Sequence, residues 1–252
     1  MFVNVAFEGG GIKGLAYVGA IRYLEKRGYR IFRASGTSVG SIFASLAVAG
    51  YNSFEIEDII EELDHSTIAT KNTFKGTIKE RGIYTIKNLE AKIKEVLKRK
   101  GKVTFQDVKY GDDYLLKIVV TEWKTKQKLI FPNDLRKYGY DPDEFLIAKA
   151  VAMSCSLPIL FSVYQVERFK FVDGGLTDNF PIELVIDGIH PVIGLTLKKN
   201  SKKTFHHSVD IIYIDSLDVK VGQFKKGLNK RSDLYNAGYM SIKEYFEHKK
   251  RK

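Results

Sequence analysis

The 252-residue sequence predicts a three-layer α/β/α fold that has a mainly parallel central sheet and an inserted helical cap region. Residues 2–7 and 29–34 are short apolar segments typical of strands, and each runs through a turn containing glycine into an apolar helical segment. Two successive strand–turn–helix units imply right-handed crossovers, which make the strands parallel and place helices on the faces of the sheet. The hydrophobic fraction of 44% is sufficient for the core of such a fold.

The remaining elements follow from apolar periodicity and from the positions of glycine and proline. Gly28 is placed to cap the first helix, and we expect a single domain over residues 1–252. The predicted helices are residues 15–28, 42–49, 55–63, 86–100, 142–153 and 233–248, and the later strands are residues 115–121, 128–131, 163–166, 169–172, 191–195 and 211–214.

The segment between residues 51 and 105 differs in composition from the apolar core around it. Two charged amphipathic helices are joined there by the polar stretch Ser66 to Arg81, and we interpret the whole segment as a cap insertion. Residues 198–208 are polar and are predicted to form a mobile loop.

The net charge of +11 and the pI near 9.4 predict a cationic surface that attracts anionic lipid, nucleic acid or acidic protein. Much of the charge lies in Lys87 to Lys102 and in the basic tail 248–252, although a solvated helix face and a frayed tail would also explain it. No apolar run approaches the length of a membrane span, and no basic and apolar leader opens the chain. Cys155 is the single cysteine and forms no internal disulfide, so we expect a cytoplasmic protein.

A serine lies between two glycines where the second strand meets the second helix, in the sequence Gly36-Thr37-Ser38-Val39-Gly40. A nucleophile elbow requires this spacing, because a side chain at either glycine would collide with the neighbouring strand or helix. The helix N-terminus behind Ser38 favours developing negative charge. The pattern therefore predicts Ser38 as a nucleophile, although it also arises by chance in about one chain in ten of this length.

The loop after the first strand reads Gly9-Gly10-Gly11-Ile12-Lys13-Gly14, and its backbone N–H groups are suited to form an anion-binding nest. In acyl transfer such a nest is an oxyanion hole. The same string satisfies the G-x-G-x-x-G pattern of dinucleotide-binding loops, in which Arg33 would meet a 2′-phosphate. That alternative is disfavoured because residues 29–34 lack the acidic residue that holds a ribose. A Walker-type phosphate loop is excluded, because no lysine followed by serine or threonine comes after the glycines.

A serine nucleophile needs a base, and the aspartate of Asp173-Gly174-Gly175 is the best placed candidate. It follows the apolar strand 169–172, so its carboxylate is expected at a strand end, where α/β sheets build their sites; a plain turn is the alternative. The histidines lie in the cap, in a polar loop, before a strand or in the tail, so none is predicted to be catalytic: His65, His190, His206, His207 and His248.

An aspartate acting as the sole base has a chemical difficulty, because its ordinary pKa of about 3.9 is far below that of a serine hydroxyl. Partial burial raises its proton affinity, and an oxyanion hole lowers the energy of the tetrahedral state so that a weak base suffices. The sequence therefore predicts a dyad of Ser38 and Asp173.

In this order, the GGGIKG loop, the GTSVG elbow and the DGG turn resemble the motifs of the patatin-like phospholipase family. Two further segments are similar to family blocks, namely Ser154 to Pro158 ahead of the aspartate and Asn179 to Pro181 after it. The resemblance covers residues 3–185, with the cap as its loosest part. It implies the family's fold, a Ser-Asp dyad without histidine, and hydrolysis of ester bonds in phospholipids, lysophospholipids or neutral acyl lipids.

Carried onto this sequence, the resemblance implies that Ser38 is the acylated nucleophile and that Asp173 is the base. Lys13 stands where the family carries arginine or lysine, and it would either contact a lipid phosphate or hold the loop. No metal and no cofactor is implied. The glycines of the motifs are Gly9, Gly10 and Gly11 in the oxyanion hole, with the last two as the main donors, and Gly14, Gly36, Gly40, Gly174 and Gly175 elsewhere.

The expected partner is a membrane phospholipid or another acyl lipid. The basic surface is predicted to dock on an anionic lipid face, and the motive for this prediction is the Lys-rich tail with Tyr245 and Phe246 beside it. The cap either covers an acyl groove or is purely structural. Two alternatives remain open at this stage. One is an acyltransferase or thioesterase that forms the same acyl-serine, and the other is a non-catalytic lipid-binding or nucleic-acid-binding module that works through the basic tail.

Overall fold

A computed structural model describes residues 1–73, 78–158, 163–199, 209–220 and 222–250. Its strands are β1 (Phe2–Phe7), β2 (Arg30–Thr37), β3 (Lys109–Tyr110), β4 (Asp113–Tyr114), β5 (Leu116–Glu122), β6 (Lys128–Phe131), β7 (Tyr164–Val166), β8 (Phe169–Asp173), β9 (Val192–Thr196) and β10 (Val209–Tyr213). Its helices are α1 (Ala16–Lys26), α2 (Val39–Val48), α3 (Ser53–Thr73), α4 (Ile78–Arg99), α5 (Ile147–Ser154), α6 (Phe224–Asn229) and α7 (Arg231–Lys250).

The strands of the described ranges form a mixed, mostly parallel sheet in the order β10-β9-β1-β2-β5-β8-β7, and β6 also pairs with β5. Neighbours from β10 to β5 are parallel, whereas β6, β7 and β8 run antiparallel to their partners. Strands β3 and β4 form a separate ribbon. This sheet with its flanking helices confirms the predicted fold class.

Two strands of opposite direction meet end to end beside β5. Val119 of β5 pairs with Thr37, the last residue of β2, and the next residue, Val120, pairs with Asp173, the last residue of β8. Val119 and Val120 both pair with β6 as well, so β6 occupies one edge of β5 while β2 and β8 share the other. The C-terminal ends of β2 and β8 therefore face each other, and Ser38 and Asp173 lie at this junction.

The side chains of β1 show how the two faces of the sheet are covered. Val3, Val5 and Phe7 enter a large core that also includes residues of α1, α2, α5 and α7. Ala6 points the other way, into a smaller cluster formed with the segment 180–185. The helix that follows the elbow thus covers one face, and the segment that follows the Asp173 turn covers the other.

The predicted cap helices are present and are longer than predicted. Helices α3 and α4 both extend into the predicted polar stretch 66–81. For α3 the reason is that no glycine or proline interrupts the chain between Ser53 and Thr73, whereas α4 continues through Gly82. They pack against each other and against α1 and α5, and Ile56 and Ile93 are fully buried. No helix in the described part of the chain combines the length and the apolar character that a membrane span needs.

Helix α5 begins at Ile147, later than the predicted start at Pro142. The intervening Asp143 is held by the β3–β4 ribbon, because its carboxylate accepts hydrogen bonds from the Lys109 Nζ atom at 2.9 Å and from the Tyr114 hydroxyl. These contacts fix the residues before α5 outside a helix. The predicted mobile loop lies outside the described residues at positions 200–208, as do tail positions 251 and 252.

Candidate active site

Ser38 occupies a strained turn between β2 and α2. Its backbone angles are φ 54° and ψ −129°, which a residue with a side chain rarely adopts. Its N–H donates to the Ser154 Oγ atom at 2.8 Å, and its carbonyl accepts from the Ser41 N–H at 2.8 Å. Ser154 in turn donates to the Val119 carbonyl at 2.7 Å, so a buried serine ties the elbow to β5. These bonds supply the support that a strained backbone requires.

The glycines on either side of Ser38 are required by close packing. A Cβ atom on Gly36 would lie 2.6 Å from the Ser41 nitrogen, and one on Gly40 would lie 2.9 Å from the Glu8 carbonyl oxygen. Gly40 is in a helix, where alanine is favoured by roughly 1 kcal/mol in the absence of such contacts. The close approach of α2 to the end of β1 therefore explains the second glycine of the elbow.

Asp173 ends β8 with its side chain only 3% exposed. Its Oδ1 atom accepts the Gly175 N–H at 2.8 Å, and the Ser38 side chain is near enough to act on the pKa of the carboxylate. Burial raises the pKa of Asp173 to about 6, although Ser38 and the Gly175 N–H act in the opposite direction. The carboxylate is thus ionised at neutral pH, and its proton affinity is higher than that of an exposed aspartate.

The glycine loop lies beside this pair, and its amides differ in availability. The Gly9 N–H already donates to the Asn179 carbonyl at 2.9 Å, which corrects the prediction that Gly9 lends its N–H to an oxyanion hole. The amides of Gly10 and Gly11 hydrogen-bond no other group of the described ranges. Gly11 has a φ of +54°, a left-handed conformation that glycine adopts without strain.

Polar groups, of which Glu8 is buried, fix both ends of the glycine loop. The Glu8 Oε2 atom accepts the Leu197 N–H at 2.6 Å and the Thr196 hydroxyl at 2.7 Å, and Oε1 accepts from Asn179 Nδ2 at 3.2 Å. Lys13 Nζ donates to the Leu197 carbonyl at 3.0 Å. The carboxylate and the ammonium group therefore hold the loop to the end of β9, and this contact supports the loop-holding alternative for Lys13.

The other candidates from the sequence lie away from Ser38. His190 precedes β9, so it lies at the N-terminal ends of the parallel strands, whereas Ser38 lies at their C-terminal ends. The Nδ1 atom of His190 is 2.8 Å from the Asp187 carboxylate. Arg33 pairs with Asp113 at 2.7 Å, so it has no place in a dinucleotide site. Burial raises the pKa of the Cys155 thiol, which excludes it as a second nucleophile at neutral pH.

His248 and the aromatic residues of the tail, all within the described residues, lie in α7 and away from the site. His248 is an exposed residue of α7, His65 lies in α3, and His206 and His207 fall outside the described residues. Tyr245 and Phe246, which stand beside the basic tail, pack onto the protein. The Tyr245 hydroxyl donates to Asp210 at 2.7 Å, and Phe246 is 6% exposed and stacks on Tyr29.

Three residues that hold the site were missed as functional positions from sequence: Glu8, Ser154 and Asn179. Ser154 and Asn179 each begin one of the two blocks that resemble the family, and Glu8 directly precedes the glycine loop, so position next to a motif was the available signal. Glu8 in particular is an acidic residue at the end of an otherwise apolar strand. A buried carboxylate at such a position needs hydrogen-bond donors, and this requirement points to a supporting role.

We expect Ser154→Ala to lower kcat for a short aryl ester by about 10–100-fold, because the Ser38 N–H loses its acceptor in a buried site. KM for the small ester should stay unchanged, since only the placement of the nucleophile is affected. The matched control is Ser156→Ala, because the Ser156 hydroxyl is equally buried and donates to Ala152 instead. Equal kcat values in the two variants would contradict the positioning role.

The fold and the site together define an α/β scaffold with a nucleophile-elbow geometry, in which a strained strand-to-helix serine lies beside a buried carboxylate and a glycine loop. The family profile described as Patatin-like phospholipase matches residues 5–186. The chain belongs to the patatin-like phospholipase family, and the resemblance seen in its sequence motifs is confirmed.

Individual relatives agree with this assignment. The chain is 36% identical to the uncharacterized protein YqhO of Bacillus subtilis over 227 residues, which cover 81% of this chain and 77% of the relative. It is 27% identical to the probable lipid hydrolase 463L of Invertebrate iridescent virus 6, covering 81% of this chain and 67% of the relative. Among solved structures, VipD from Legionella pneumophila shares the fold with a TM-score of 0.60 and 15% identity, covering 98% of this chain and 66% of VipD.

Proposed function

We propose that this protein is a lipid acyl hydrolase that cleaves ester bonds of phospholipids through an acyl-Ser38 intermediate, with Asp173 as the base. The observation that carries the proposal is the pairing at the β2–β8 junction. A serine in a strained elbow follows the end of β2, and the end of β8 that meets it carries a buried carboxylate whose pKa is raised to about 6. Membership of the patatin-like phospholipase family supports a lipid ester as the substrate.

In the first half of the reaction, the Ser38 oxygen attacks the ester carbonyl carbon while its proton passes to Asp173. A new C–O bond forms, and the carbonyl electron pair moves onto oxygen to give a tetrahedral oxyanion. Asp173 suits this step because it is ionised at neutral pH and is a stronger base than an exposed aspartate. The Gly175 N–H binds its Oδ1 atom and so holds the carboxylate in one orientation.

We assign the oxyanion hole to the amides of Gly10 and Gly11, whose hydrogens are available in the described structure. The N-terminus of α2, immediately after Ser38, adds a favourable dipole for the same charge. Lys13 is assigned to loop support, because its ammonium group bonds the Leu197 carbonyl. This arrangement stabilises the tetrahedral state and so compensates for the modest strength of a carboxylate base.

In the second half, the tetrahedral state collapses, the bond to the alcohol breaks, and Asp173 returns its proton to the departing oxygen. Water then attacks the acyl-serine with Asp173 again accepting a proton. The carbon–oxygen bond to Ser38 breaks, the serine regains its proton, and a fatty acid is released. An acyltransferase would differ at this step alone, because another alcohol or a thiol would replace the water.

The test is the release of fatty acid and lysophospholipid from phospholipid vesicles by the purified protein, with Ser38→Ala as the negative control. We expect free fatty acid from the wild type and none above background from the variant. Equal release by both proteins would show that a contaminant is responsible. Release of an acyl ester or thioester in place of fatty acid, when an alcohol or thiol is supplied, would replace the hydrolase proposal by a transferase.

A further inference from the structure

A group of exposed basic residues surrounds a tryptophan at the active-site edge of the sheet. It comprises the β5–β6 turn, with Trp123 half-buried and Lys124, Lys126 and Lys128 exposed, and the neighbouring β7–β8 turn, with Arg168 and Lys170 exposed. We call these six residues the hairpin surface. The two turns are adjacent, since the Trp123 N–H donates to the Lys170 carbonyl at 2.9 Å.

The hairpin surface is continuous with the rim of the candidate site. Trp123 lies three residues beyond Val120, the register partner of Asp173, which places it about 10 Å further along β5. The Lys128 Nζ atom is 3.2 Å from the Asp178 carboxylate, in the turn that follows Asp173. Leu176 in that turn is 53% exposed, an apolar side chain at the mouth of the site.

Charge at the hairpin surface is largely uncompensated. The two turns hold five basic residues and one exposed acidic residue, Glu167, while the Glu122 carboxylate is turned inward to accept from the Thr125 N–H and hydroxyl. Across the described ranges, no carboxylate lies within salt-bridge distance of Lys124, Lys126 or Lys170. Lys126 lies instead over the Trp123 ring, 3.2 Å from its centroid.

The two basic regions singled out from the sequence differ from the hairpin surface. On α4, Lys92 and Arg99 pair with Glu62 and Glu95, and Lys100 pairs with Glu55. In the tail, Lys249 pairs with Asp210 at 2.7 Å. Asp210 is near the start of β10, so this pair lies at the N-terminal ends of the parallel strands, away from the elbow at their C-terminal ends. In the described part of these regions, the basic residues Lys92, Arg99, Lys100 and Lys249 are therefore paired with carboxylates.

We propose that the hairpin surface docks on an anionic lipid bilayer and brings the Ser38 site to its ester substrate, a proposal that rests on the proposed lipid hydrolase. Lysine and arginine near a bilayer are attracted by anionic head groups, and a tryptophan beside them is suited to the boundary between head groups and acyl chains. Leu176 then faces the membrane from the rim of the site. Nucleic acid would be bound by contacts between basic residues and phosphates alone. The presence of Trp123 and Leu176 among the basic residues therefore favours a lipid surface over nucleic acid.

The test measures co-sedimentation of the full chain carrying Ser38→Ala with phosphatidylcholine vesicles, with and without phosphatidylserine. Because the Ser38→Ala protein hydrolyses nothing, the experiment measures vesicle binding separately from catalysis. The binding result therefore stands even if the hydrolase proposal fails. We expect Lys124→Ala/Lys126→Ala to weaken binding to the anionic vesicles by about 30-fold at low salt, about fivefold for each lysine. The matched control is Lys94→Ala/Lys98→Ala, which removes the same charge from exposed positions of α4.

The proposal is supported if the control pair binds like the parent protein and if added salt reduces the difference between parent and hairpin variant. It is overturned if the parent binds both vesicle types equally, or if the two lysine pairs lose affinity to the same extent. It is also overturned if the hairpin variant loses affinity for duplex DNA while its vesicle binding is unchanged. Thermal unfolding of each variant shows whether a loss of binding comes from a loss of fold.

Discussion

Replacing Asp173 with asparagine is expected to lower kcat/KM for ester hydrolysis by about 10⁴-fold or more, a loss close to that of Ser38→Ala. Asparagine keeps the size of the side chain and an oxygen for the Gly175 N–H, but it accepts no proton from the serine. The double variant should be no less active than either single variant, because residues that act as one unit give losses that do not add. The measurement is steady-state hydrolysis of a short aryl ester by the three variants.

The pH dependence of kcat/KM tests the role of Asp173 independently of any substitution. Since the pKa of Asp173 is raised to about 6, wild-type kcat/KM should rise with pH through this value and then level off as the carboxylate ionises. His190→Ala and His248→Ala are the controls, and both should retain the wild-type rate and profile. A large loss in either histidine variant, or full activity in Asp173→Asn, would contradict the dyad.

Much of the fold was predictable because its signals are local. The glycine-rich turns, the apolar strands and the helix after Ser38 each depend on residues within a few positions, and β1 and β6 are observed as predicted. The helix boundaries that shifted depend on partners elsewhere. Helix α5 starts late because Lys109 and Tyr114, more than 25 positions away, bind Asp143.

The relative placement of Ser38 and Asp173 was not predictable from the sequence. Asp173 was expected at the C-terminal end of a strand in a mainly parallel sheet, which would place it at the same edge as the elbow. The strand β8 is instead antiparallel, and it reaches Ser38 by ending where β2 ends, on the same edge of β5. This relation is fixed by long-range pairing, which leaves no signal in the DGG motif itself.

The partners of individual groups around the site and in the tail were not predictable for a related reason, because they come from distant parts of the chain. From the sequence, the Gly9 N–H in a glycine-rich loop is expected to have no partner. Only the fold shows that it donates a hydrogen bond to the Asn179 carbonyl. Tyr245 and Phe246 likewise appear available beside a basic tail, but the packing of α7 directs them to Asp210 and Tyr29. Composition indicates how much charge a chain carries, whereas pairing across elements decides where charge is left exposed.

Replacing Asp173 should also change the free energy of unfolding, and the sign of the change follows from the raised pKa of Asp173. We expect Asp173→Asn to unfold at higher denaturant concentration than the wild type at pH 8, with a gain in the free energy of unfolding of about 2–3 kcal/mol. The folded protein binds the Asp173 proton more tightly than the unfolded chain does. The stabilisation from this proton is therefore complete below about pH 4, and it is lost as the pH rises through about 6. Asparagine has no charge to bury, so it avoids this loss.

Asp107→Asn is the matched control, because it is expected to have the opposite sign. Burial acts to raise the pKa of Asp107, but the hydrogen bonds from the Thr104 and Val103 N–H groups outweigh it and lower that pKa overall. The Asp107 carboxylate therefore stabilises the fold above its unfolded pKa, and its replacement should reduce stability at pH 8. Urea unfolding of both variants at pH 5 and pH 8 measures the difference. If Asp173→Asn were destabilised at pH 8 as Asp107→Asn is, the Asp173 carboxylate would be favoured by its surroundings, and burial would not account for its strength as a base.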